Sequence, residues 1–433
     1  MLFIIFAITL IFHILFCKLY LKSLTSPFAI YGLIWFTLLV LSQLPILKLQ
    51  KLSLNAVFIF YISYFAFMLP QLYLCGKQSA AYNNFNIEVN NLFLRKVAFV
   101  CICTYAICSI VNIFAIINYF GSLEYIFTHE TEVRYGAIGK QFTSKFISYL
   151  STIGYAASGV SAYLLFFKKN SFLQRLLYIL PLFFVFLSDM IVFSRMNIIF
   201  MVIIYFGTFL LKFGSLPKRR GSSIIYLILI LLLFIVILLI PKYIRSGESF
   251  ISSAHEYAYL KSDNIIYQAF IHLYSYAIGP IIAFGNFLDC FDGIYILGQA
   301  QFLPYYNALT KILGQNSEAY QLIYEVTNVP FETNIYTYLR EAYNDFGVLG
   351  IILTPLFLSC ISTLCNSLKI RNQFLKILGM QYVYLYVIFG VFYTPYCQGG
   401  PAMGMMFYFL IVMICSIKLK AKNYNSINCV FQM

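Results

Sequence analysis

The chain has 433 residues, 61% of them hydrophobic and only 10% charged, with a mean hydropathy of +0.83. A water-soluble fold cannot hide that much apolar surface, so the composition excludes an ordinary soluble domain and points to repeated membrane-spanning helices. The net charge of +14 would suggest nucleic acid in a soluble protein; here it reads as topology, and no nucleic-acid partner is implied.

In chain order, apolar runs predict an all-α integral membrane protein, a polytopic bundle of about 11 transmembrane helices (10–12). They fall at 2–17, 27–47, 54–75, 97–119, 147–167, 173–190, 197–211, 223–241, 346–366, 376–393 and 401–417. The first run lacks a basic leader and a small-residue cleavage site, so it reads as a retained helix. The organisation expected is an N-terminal bundle, 1–241, of about eight spans with a small external loop at 120–146. A large external region, 242–345, lies between the eighth and ninth spans. The part 346–433 holds about three closing spans and a short basic tail.

Charge sets the orientation. If 18–26, 76–96, 168–175, 212–222, 367–376 and 418–433 face the cytoplasm, they hold 18 of the 29 Lys+Arg but one acid, Glu88. The other side holds 14 of the 15 acids. The positive-inside rule then places the N-terminus outside, in the periplasm of a bacterial inner membrane, and the C-terminus in the cytoplasm. The run Ile265 to Leu288 is long enough to cross, but crossing would invert every later sign. Gly279-Pro280 and Gly285-Asn286 interrupt it, so the expectation is a broken, non-crossing element. Eleven cysteines lie scattered without a spaced Cys/His cluster, and neither a disulfide framework nor a metal site is expected.

Chemistry gathers at the outer face. Arg195 lies in the turn Ser188–Asn197, Arg245 follows the 223–241 span, and Arg340 precedes the 346–366 span. Guanidinium groups grip phosphate through two parallel hydrogen bonds, which would suit a lipid diphosphate; each could equally be an interfacial anchor. If 333–346 is helical, Asn334, Thr337, Glu341 and Asp345 share one stripe. Glu341 and Asp345 are then the candidate general bases, although Asp345 could instead cap the following helix. Tyr336 and Tyr338 could stack on sugar rings or belong to an aromatic belt. His272, in the interrupted run, could touch glycan or simply pack.

The segments Thr333-Asn334-Ile335-Tyr336-Thr337-Tyr338-Leu339-Arg340 and Asp345-Phe346-Gly347-Val348-Leu349-Gly350, with Ser194-Arg195 and Gly279-Pro280, resemble the signature of Wzy-type O-antigen polymerases. The resemblance implies a GT-C-like fold and an enzyme that works on undecaprenyl-diphosphate-linked oligosaccharides. It would transfer the growing glycan as a block onto the non-reducing end of a new lipid-linked repeat unit, at the periplasmic face. No metal or nucleotide cofactor is implied; a flippase and a chain-length regulator are the implied partners. Arg195, Arg245 and Arg340 would hold the donor diphosphate. The wider fold group uses a histidine base, and no external histidine here stands in a clear motif for it. A lipid-linked oligosaccharide flippase or other transporter, an O-antigen ligase and a non-catalytic assembly component are the rival readings. The near absence of charge inside the long spans favours an enzyme over a transporter.

Overall fold

A computed structural model describes residues 2–47, 51–75, 91–138, 144–214, 264–314, 327–329, 332–367, 373–397, 399–411 and 414. Their regular structure is helical apart from a two-residue antiparallel pairing. The helices are α1 (Leu2–Leu19), α2 (Pro27–Leu41), α3 (Leu54–Cys75), α4 (Asn91–Phe120), α5 (Leu123–Thr128) and α6 (Glu130–Ile138). Then come α7 (Lys145–Leu150), α8 (Ile153–Phe167), α9 (Phe172–Ile191) and α10 (Met196–Gly214). Next follow α11 (Ile265–Asp289), α12 (Leu303–Ile312), strands β1 (Thr327–Asn328) and β2 (Glu332–Thr333), α13 (Tyr338–Phe346), α14 (Val348–Ser367), α15 (Gln373–Phe389) and α16 (Gly399–Ile411).

Among the described residues, eight helices are long and apolar enough to cross a membrane: α1, α3, α4, the α7–α8 segment, α9, α10, α11 and α14. The shorter α2, α15 and α16 are apolar too. The chain is thus of the helical membrane class. Seven of the expected spans overlap helices of that length; 27–47, 376–393 and part of 401–417 overlap the shorter ones, and 223–241 lies outside the described residues.

Local chemistry starts several helices. Ser26 accepts the amide of Ala29 and Pro27 fills the first turn of α2, where a missing N–H costs nothing. Ser171 and Gln174 form a reciprocal capping box on α9. Asn264 accepts the Ile266 and Tyr267 amides ahead of α11.

The expected break in α11 does not occur: one continuous helix of 25 residues runs through Pro280. Pro280 removes a single ladder hydrogen bond. Around it Ile278, Ile281, Ile282, Ala283 and Phe284 are at most 1% exposed, so protein covers the freed carbonyl, the setting in which a proline inside an apolar helix is tolerated.

The chain forms two compact units. The first holds residues 1–83, 210–368 and 382–399; the second holds 84–209, 369–381 and 400–433. In the first, Gln71 near the end of α3 donates to Ser359 and Thr363 on α14 (3.1 and 3.2 Å), a polar rivet between two apolar helices. His13 of α1 bonds Tyr64 through Nδ1 and the Ala29 carbonyl through Nε2 (both 2.9 Å), so both nitrogens are used in packing. α11 meets the α2–α3 hairpin near its connecting end: Tyr274 donates to Leu41 O (2.7 Å), Gly285 faces Leu52 and Ala56, and Phe284 packs on Phe60. In the second unit, α4 packs on α8 and α9, and Gln381 bridges Gly159 O and Thr208.

Candidate functional site

The site is built on α13, and its first residues fold differently from the expected 333–346 helix. Glu332 and Thr333 pair with Asn328 and Thr327, and helix begins only at Tyr338, with Thr337 in extended geometry at the cap. Thr333, Ile335 and Thr337 are β-branched and favour extended backbone. Asn334 consequently leaves the stripe and is exposed. Thr337, Glu341 and Asp345 keep their common face.

That face points inward. Thr337 and Asp345 are 0% exposed, Glu341 2% and Arg340 8%. The first amide of α13, Tyr338 N–H, is accepted by Gly390 O at 2.8 Å. Tyr338 sends its hydroxyl into a buried ring of three with Tyr31 and Ser63 (2.9 Å to each), so it locks α13 onto α2 and α3 and is no sugar platform. Thr337 Oγ1 is buried with no hydrogen-bond partner among the described residues.

Arg340 is held by aromatics. Its guanidinium carbon stands 4.1 Å from the Tyr336 ring centroid and 5.3 Å from that of Phe287 on α11. The two rings stand edge to face with each other at 6.4 Å, so they hold the cation from two neighbouring sides. Glu341 accepts the Thr394 hydroxyl at 3.3 Å, from the residue before the 3-10 turn Pro395–Cys397. A guanidinium and a carboxylate thus sit on adjacent residues under one buried polar node. The arrangement can bind an anion and, one residue on, accept a proton.

Asp345 is a structural residue. Its two carboxylate oxygens accept the amides of Ala300 and Gln301, each at 2.9 Å, and its carbonyl accepts Leu297 N–H at 3.2 Å. It therefore caps the turn ahead of α12, not the helix that follows it in sequence. Burial pushes its carboxyl above the ordinary carboxylate value, while the Ala300 and Gln301 amides pull it down.

His272 is half-buried on α11, its ring 6.0 Å from Tyr276, which in turn meets Phe392. Arg195 is half-buried in the second unit, ahead of α10, and Arg245 lies outside the described residues. Asp189, at the start of the Ser188–Asn197 turn, is 2% exposed inside the last turn of α9. It accepts Asn197 Nδ2 (2.8 Å) and the Ile198 amide (2.9 Å), and so caps α10.

Residues not foreseen complete the node: Phe287, Thr394, Gly390, Tyr31 and Ser63. Only Thr394 carried a signal, as the residue before Pro395 where two apolar runs part. No protein-family model, curated protein or solved structure matches this chain.

Proposed function

We propose that this chain is a membrane glycosyltransferase, a polysaccharide polymerase for O-antigen or capsule. It moves an undecaprenyl-diphosphate-linked glycan onto the non-reducing end of an undecaprenyl-diphosphate-linked repeat unit at the periplasmic face of the inner membrane. The observation that carries the reading is the buried Arg340, packed against the rings of Tyr336 and Phe287 and followed by Glu341, at the head of the apolar helix α14. A buried guanidinium held against aromatic rings suits a diphosphate borne by a lipid, and the neighbouring carboxylate suits deprotonation of an acceptor hydroxyl. In this reading Arg340 and Glu341 act together, with Arg195 and Arg245 as further diphosphate contacts. The attachment of α11 near the connecting end of the α2–α3 hairpin favours a periplasmic placement of 290–314 and 332–346.

Gene deletion followed by glycolipid electrophoresis tests the reading. Loss of a polymerase leaves single-repeat products. Loss of a flippase removes surface glycan, and loss of a ligase leaves lipid-linked polymer; either pattern would replace this proposal.

A further inference from the structure

α12 is short, and it is apolar on the side turned away from the protein. Phe302, Tyr305, Leu309 and Ile312 are 52%, 40%, 54% and 80% exposed. Their spacing of three, four and three residues puts them on one helical stripe. The opposite side is covered, with Leu303 and Thr310 buried, and α12 packs against the Pro395–Cys397 turn beside Thr394.

The depth of this helix follows from its tether. Thr354 of α14 donates to Gln301 Oε1 at 3.1 Å, just ahead of the first residue of α12. Thr354 is six positions into α14, about 9 Å along a helix axis at 1.5 Å per residue. Its neighbour Leu353 belongs to the outward stripe Leu349, Leu353, Phe357 and Leu364 of that apolar helix, all 48% exposed or more. The rings of Phe302 and Phe346 flank one glycine between the two stripes: a Cβ built on Gly298 would stand 3.7 and 3.5 Å from them. Asp345 fixes the level, holding the Ala300 and Gln301 amides from α13. A helix tied nearly two turns down the side of a membrane span, with its bare face apolar and Lys311 in its last turn, has lipid as its neighbour.

We infer that α12 is an interfacial helix, lying in one leaflet with Phe302, Tyr305, Leu309 and Ile312 among the acyl chains. Its inner face meanwhile lies against the turn that follows Thr394. The partner is the bilayer itself, and the inference holds whatever reaction the Arg340 node performs.

The chain has a single tryptophan, Trp35, 3% exposed, which provides a low, fixed background. Full-length Ile312→Trp and Leu309→Trp variants are reconstituted in phosphatidylcholine vesicles with acyl chains brominated either near the carbonyl or near the terminal methyl. The expected result is loss of most of the added emission with shallow bromines, less with deep ones, and protection from aqueous iodide. Quenching by iodide without quenching by bromolipid would put the stripe in water. Protection from both would mean that protein, such as a second copy, covers it. Either result overturns the inference.

Discussion

The guanidinium of Arg340 lies 4.1 Å over the ring of Tyr336, four residues earlier in the chain. The pair straddles the change from extended chain to helix at Thr337, and this change of backbone swings the ring beneath the cation. Had 333–346 formed one helix, the two would still be neighbours, but Asn334 would have shared the buried face.

Arg340→Ala should abolish or strongly shorten surface polymer while the protein still inserts and purifies as a single species. Truncation also removes a buried cation–π contact worth about 0.5–2 kcal/mol. Arg340→Lys should rescue poorly, because a point charge lacks both the planar stack and the two-pronged edge. Glycolipid ladders of wild-type length from Arg340→Ala would remove the anion-binding role.

Tyr336→Phe should preserve the stack and Tyr336→Leu should not. A cation over a desolvated aromatic face is worth about 0.5–2 kcal/mol. The expected outcome is a thermal midpoint near wild type for Tyr336→Phe and a clear fall for Tyr336→Leu, read on detergent-solubilised protein. Equal falls would show that the hydroxyl, not the ring face, matters.

Asp345→Asn separates capping from catalysis. An amide offers one oxygen to two backbone donors and turns an N–H toward the other, at about 1–3 kcal/mol. Burial raises the carboxyl above its ordinary value, so the folded chain holds that proton more tightly than the unfolded one. Its contribution to stability is therefore greatest below the ordinary carboxylate value, declines as pH rises through the folded value, and is flat above it. The advantage of wild type over Asp345→Asn should accordingly narrow with rising pH in thermal melts. An advantage that widens with pH would reverse the sign of the burial effect.

Gly347→Ala and Gly350→Ala should both destabilise. Gly347 joins α13 to α14 at φ +60°, and an added Cβ would sit 2.9 Å from the Tyr295 ring; backbone strain of this kind costs about 1–3 kcal/mol. At Gly350 a Cβ would fall 1.9 Å from the Ala342 carbonyl oxygen, so the two helices would have to part. Yield and melting of the purified variants measure both, and a Gly350→Ala protein as stable as wild type would contradict this close approach.

Much of the helical framework was legible because apolar length and capping residues are local properties. Ser26-Pro27 and Ser171 with Gln174 mark their helix starts within a few residues. The errors have physical causes as well. Gly279-Pro280 reads as a break because propensity counts the lost hydrogen bond but not the protein that covers the helix at Ile281, Ile282 and Phe284. The 333–346 stripe looked helical because its polar spacing fits, while the β-branched alternation before Thr337 was given no weight.

What the residues alone determined is the membrane class, the positions of most helices, and the concentration of Arg340, Glu341 and Asp345 ahead of an apolar span. Tertiary structure decided what each of these does. Phe287 and Thr394 reach Arg340 and Glu341 from α11 and the turn after α15, each about 50 residues away. Asp345 spends both oxygens on amides 44 and 45 positions earlier. A carboxylate reads the same in sequence whether it awaits a proton or closes a turn, because the difference lies in donors that only folding brings to it.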